Sequence, residues 1–227
     1  MFGVIKLKKV LLVCFIFILS LGVYLGAKII TKQVNSPYLK KTVVIDAGHG
    51  GIDGGSVGVS TNVSEATLNL DYAKCLKKLM EEFGFRVVMT RTTENGLYNP
   101  LASNKKKDDM KKRSQIVENS NADFVISIHM NSFTAKAQGA QVFYGKNDQP
   151  SQSLADNIQK YFVRNLTNAR KESKVGDYFM LNAIKSPSVL VECGYLSNAE
   201  EEALLITEAY RYEVCYSILC GVLEYLR

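Results

Sequence analysis

Two histidines are the whole imidazole supply of this 227-residue chain, and each closes an apolar run. His49 ends TVVIDAGH, residues 42–49, and His129 ends FVISIH, residues 124–129. A third run, SVLVE, ends on Glu192. Short apolar runs rich in β-branched residues read as buried strands. In an open α/β sheet, ligands bind beyond the carboxyl ends of the strands, so the three groups converge on one edge. Two imidazoles and a carboxylate suit a catalytic zinc, which takes three protein ligands and leaves a position for water. The sequence thus points to a metal site and a hydrolase. Asp46, Asp53 and Glu65 are the carboxylates near the first histidine. Glu65 falls in the first turn of an expected helix that begins beside the strand ends, so its side chain can face the site. Its competing reading is a helix cap, with Asn62 as N-cap and Glu65 three residues on. Glu192 ends a buried strand, where a carboxylate is costly unless paired or used. Beside a metal it would be a general base and then a proton donor. The bland alternative is a salt bridge to Arg113 or Lys185.

The elements that must hold these groups alternate. Strands are expected from Thr42 to Asp46, Phe85 to Thr90, Ala122 to His129, Gln141 to Tyr144 and Val189 to Val191, with a short one from Tyr178 to Leu181. The stretch GHGGIDGGSVG, residues 48–58, is a loop, since glycine is costly inside elements. Apolar residues at three- and four-residue steps predict helices from Asn62 to Phe83, Met110 to Asn119 and Ser153 to Leu166. One or two closing helices are expected from Glu200 to Leu226. Strands alternating with helices imply an α/β fold: a single domain whose twisted, mostly parallel central sheet is flanked by helices on both faces.

The N-terminus differs from the rest. Lys6, Lys8 and Lys9 precede eighteen uncharged residues, Val10 to Ala27, long enough to span a bilayer. The preceding lysines would keep the N-terminus in the cytoplasm and export the remainder of the chain. Residues 1–30 therefore read as a membrane anchor, or as a signal segment if cleaved. Residues 31–41 read as a linker and 42–227 as the catalytic domain. The net charge is +6. KKKDDMKKR, residues 105–113, reads as a solvated loop and helix start, with contact to an anionic surface as the functional alternative. No nucleic-acid-binding motif is present. Five cysteines form no CxxC pair and read as small hydrophobes rather than a disulfide framework.

The segments VVIDAGHGGIDGGSVG, SEATLNLDYAKCLKKL, VVMTR, ADFVISIHMNS and SVLVECGYLSNAEEEALL occur in this order. Together they resemble the zinc-dependent N-acetylmuramoyl-L-alanine amidases of the bacterial cell wall. The resemblance runs from Lys41 to the C-terminus. It implies one catalytic Zn2+ held by His49, Glu65 and His129, and Glu192 as the catalytic glutamate. The reaction implied is hydrolysis of the amide between the lactyl group of N-acetylmuramic acid and L-alanine of the peptidoglycan stem peptide. Ala47 departs from the family, which usually has proline before GHG, and this alters loop stiffness rather than ligand chemistry. The short, single-domain architecture is similar to the sporulation amidases of the CwlD type. That similarity implies a role in spore cortex maturation toward muramic-δ-lactam, needed for germination, and a place on the extracytoplasmic face of the membrane, in the intermembrane space of the developing spore. Without a wall-binding module, a protein partner for positioning or activation is a further expectation. The alternatives are a zinc peptidase acting on stem peptides, against which Ile52 stands where the glutamate of an HxxE pair would be, and a catalytically silent wall-binding scaffold.

Overall fold

The computed structural model describes residues 14–22, 24, 38 and 41–227. The chain divides into two units, Met1–Leu39 and Lys40–Arg227. In the first, residues 14–22 are helical. The anchor expected from Val10 to Ala27 lies in part outside the described residues. Among those described, no helix is long and apolar enough to cross a membrane.

The second unit is built on six strands: β1 (Thr42–Ala47), β2 (Arg86–Met89), β3 (Phe124–Asn131), β4 (Gln141–Tyr144), β5 (Lys174–Val175) and β6 (Ser188–Tyr195). Their order is β2-β1-β3-β6-β4-β5. Four of the pairings are parallel, and β4 runs antiparallel to β6. The sheet is therefore mixed rather than wholly parallel. Every residue of β1 and β6 is buried, whereas edge strand β2 is partly open. This is why the central strands read as unbroken apolar runs: helices cover both faces, so neither face needs polar residues.

Six helices surround the sheet: α1 (Glu65–Glu82), α2 (Lys105–Ser120), α3 (Gln149–Asn165), α4 (Phe179–Asn182), α5 (Ala199–Leu205) and α6 (Glu208–Tyr225). Helix α6 packs on both α1 and α3, while α2 packs against β1 and α4. Five helices begin on a side-chain cap: Ser64, Asn104, Asp148, Asn198 and Thr207. Each cap satisfies a backbone N–H that has no partner within its helix.

Two expectations are corrected here. The segment from Tyr178 to Leu181 is not a strand: Phe179–Asn182 forms a helical turn, burying Met180 and Leu181. The cap of α1 is Ser64, whose hydroxyl accepts from Thr67 N, and Asn62 sits before it with φ 59°. Glu65 is thus the first helical residue. It does not close a capping box, and its carboxylate is left for other work.

Candidate metal and catalytic site

The site grows from the carboxyl end of β1. His49 follows Gly48 just past the strand and takes a left-handed backbone, φ 61°, a conformation most side chains resist. Two buried arginines hold it there. Arg91 donates to the carbonyls of Ala47, Gly48 and Ala66. Arg113 donates to the carbonyls of Ala47 and His49 and forms a buried ion pair with Asp46 at 2.7 Å. Asn69, one turn along α1 from Glu65, adds a bond to the Gly48 carbonyl at 3.1 Å. Glycine is required at position 48, because a Cβ there would sit 2.3 Å from the His129 ring.

This scaffold brings three of the residues singled out in the sequence to one point. Glu65 Oε1 lies 3.1 Å from His49 Nε2 and 2.9 Å from His129 Nδ1. The two imidazole rings stand edge to face with centroids 5.0 Å apart. One donor atom from each of the three residues lies within 4.8 Å of the others, a grouping that could hold a metal ion. The second oxygen of Glu65 is committed elsewhere: Oε2 accepts from Ser56 N at 2.8 Å. Glu65 is therefore aimed, not merely near. Burial would raise its pKa, but hydrogen bonds from His129 and His49 pull it far below the usual carboxylate range. Burial likewise opposes the imidazolium of His49, yet the Glu65 hydrogen bond and charge, with Asp53 behind, raise its pKa. The pocket wants positive charge at this point. Two imidazoles and an anionic oxygen fit zinc, whose catalytic sites use such a donor set.

The other carboxylates near the first histidine divide. Asp53 Oδ1 lies 2.9 Å from His49 Nδ1, close enough for its charge to act on the ring, but the geometry makes no hydrogen bond and leaves Nδ1 buried without a partner. Asp46 is out of reach, buried among Arg113, Thr90 and Ser127. Glu192 pairs in register with His129 across β3 and β6, so the two side chains emerge side by side from adjacent strands. It makes no salt bridge to Arg113, which is committed to Asp46 and Asp109. Instead its Oε2 is buried without a hydrogen-bond partner. Burial pushes its pKa up to about 7, the nearby Glu65 charge adding to the rise and the histidines opposing it. A carboxylate titrating near neutrality is suited to take and return a proton.

A cavity of about 380 Å³ opens from His49 and His129 toward Lys106 and Tyr98, walled by Ile52, Met110 and Phe179. Sequence reasoning missed the work of Arg91, Arg113 and Asn69. A signal existed for Arg113: it lies four residues from Asp109 and from Val117, all three on the buried face of α2.

Comparisons with known proteins identify the family. A family model described as N-acetylmuramoyl-L-alanine amidase matches residues 43–224. The germination-specific N-acetylmuramoyl-L-alanine amidase of Bacillus subtilis (strain 168) is 33% identical over 199 residues, 86% of this chain and 83% of that protein. Among solved structures, the CwlD amidase from Clostridioides difficile, in complex with the GerS lipoprotein, superposes with a TM-score of 0.79 at 39% identity. It spans 82% of this chain and 98% of that one. The catalytic domain of CwlV, an amidase from Bacillus (Paenibacillus) polymyxa var. colistinus, gives a TM-score of 0.73 at 34% identity, covering 82% and 98%.

Proposed function

The chain belongs to the N-acetylmuramoyl-L-alanine amidase family, and from that premise we propose that it works with one zinc ion held by His49, Glu65 and His129 and with Glu192 as its proton carrier. The chain is an N-acetylmuramoyl-L-alanine amidase, so its bond is the amide joining N-acetylmuramic acid to L-alanine. Family membership favours this reaction over the stem-peptide peptidase and the silent scaffold. Bound zinc would supply Lewis acidity toward the scissile carbonyl and lower the pKa of a water toward ~7. The protein does the rest. Glu192 removes a proton from the attacking water and returns it to the departing alanine nitrogen. The Asp53 charge lies behind His49, while Arg91 and Arg113 fix the backbone from which His49 projects. The single observation that carries this reading is the contrast around His129: a Glu65 oxygen shared by two imidazoles, and, in register with that histidine, a Glu192 oxygen with no partner.

The finer setting is also proposed. Similarity to a germination-specific amidase supports action on spore cortex peptidoglycan, on the path to muramic-δ-lactam. The lysines and apolar stretch before residue 28 support anchoring with the enzyme on the extracytoplasmic side, in the intermembrane space of the developing spore. A structural relative solved with a lipoprotein supports a protein partner here too.

The test is mass spectrometry of digested peptidoglycan. New L-alanine amino termini, abolished by chelation and restored by zinc, are expected. Cleavage at another bond, or activity indifferent to chelation, contradicts the proposal.

A further inference from the structure

We infer that Glu202, which touches none of the reacting groups, is a positioning residue that tunes metal affinity by holding the loop that aims Glu65. The inference rests on the metal reading above and extends it to a residue that never touches the ion.

The loop between the first strand and α1 is closed on itself. Val57 and Ser64 form an antiparallel bridge, and Gly58 N donates to Val63 O at 2.9 Å. Its base is joined to the ligand from two directions. Glu65 N donates to Ser56 O, and Ser56 N donates to Glu65 Oε2, each at 2.8 Å. The second bond leaves only Oε1 facing the histidines. Oε1 also accepts from Met130 N at 3.3 Å and Asn69 Nδ2 at 3.4 Å, so the loop supplies the restraint on Oε2 that sets the rotation of the carboxylate both imidazoles share.

At its tip the loop has two consecutive backbone N–H groups, of Ser60 and Thr61. Both point into the carboxylate of Glu202, at 2.7 and 2.8 Å, and the Thr61 hydroxyl adds a third bond at 2.6 Å. Glu202 is fully buried on the seven-residue helix α5, which follows β6 directly. A buried carboxylate with three donors and, among the described residues, no ion-pair partner is a rigid acceptor, because charge-assisted bonds are about twice as strong as neutral ones. The fit leaves no slack: a Cβ on Gly58 would lie 2.3 Å from Glu202 Oε1. Val59 N adds a bond to Leu196 O at 3.2 Å. The strand end bearing Glu192 and the loop aiming Glu65 are thus tied through one short segment. Glu201, the neighbouring residue, grips the other side by accepting from Tyr195 N and Gly139 N.

Glu202→Gln keeps the volume but turns one acceptor into a donor that faces a backbone N–H. The expected result is a zinc dissociation constant raised by about tenfold or more, the range seen when groups behind metal ligands are altered. Zinc affinity is read by competition with a chromophoric chelator. The visible spectrum of the cobalt(II)-loaded protein reads ligand geometry independently, and its bands should shift in Glu202→Gln. Thr61→Val removes one of the three bonds from an exposed position and should cost about threefold. Gly58→Ala, which displaces the carboxylate sterically, should resemble Glu202→Gln and serves if that variant folds poorly. Unchanged zinc affinity and cobalt spectrum in folded Glu202→Gln or Gly58→Ala, even with a lower melting temperature, would overturn the inference and leave Glu202 a purely structural acid. Absence of zinc binding in the wild-type protein would instead overturn the metal reading on which it stands.

Discussion

Two carboxylates sit in the carboxyl-terminal halves of strands in the same sheet, both buried, and they have been treated oppositely. Asp46 on β1 receives an arginine, a serine and a threonine: Arg113, Ser127 and Thr90. Burial alone would raise its pKa, but these partners hold it down at about 2. Glu192 on β6 receives no such company, and burial carries it up to about 7. The first is locked in its charged form and serves as a foundation. The second has no such partners to hold its charge and is free to act. Burial by itself therefore does not say whether an acid is structural or chemical, and the partners decide.

The contrast can be attacked from the side of Asp46 first. Arg113→Ala leaves that carboxylate buried and unpaired and frees two backbone carbonyls, so a loss of about 3–5 kcal/mol of folding stability is expected. Denaturant titration would show it. A loss below about 1 kcal/mol would mean the pair is better hydrated than its burial implies. Glu192→Gln makes the opposite prediction: a neutral amide replaces an unpaired buried carboxylate, so the midpoint of denaturation should hold or rise. A loss comparable to that of Arg113→Ala would erase the distinction between the two acids.

A smaller effect should appear with acid. The folded pKa of Asp46 is depressed from the ordinary 3.8 to about 2, so its contribution is fully present above about pH 4 and disappears as pH falls through about 2. The difference is worth about 2 kcal/mol. In Asp46→Asn that segment of the pH–stability curve should flatten, and an unaltered slope would assign it to other carboxylates.

The sequence and the structure meet unevenly along this contrast. His49, His129 and Glu192 were visible because central strands announce themselves as apolar runs, and a polar residue ending such a run needs a reason. Glu65 was visible as a candidate but entangled with capping, and only the placement of Ser64 as the cap separated the two roles. The direction of β4 against β6 was not legible, since a four-residue strand looks alike in either direction. The two-residue strand β5 was too short to carry a period. Arg113 was hidden inside a charged run that reads as solvated, although it is only 1% exposed. Long-range partners such as Asp46 and Arg113, 67 positions apart, leave no mark on local pattern. The groups doing chemistry were thus easier to find than those that hold them.

The most direct test of Glu192 as the chemical acid is bound zinc per chain, measured with stem-peptide release, in the wild-type protein and in Glu192→Gln. One equivalent of zinc is expected in both, with release in the variant reduced by about 100-fold or more. A variant that keeps full activity, or a wild-type protein that cleaves its substrate without zinc, would contradict that assignment.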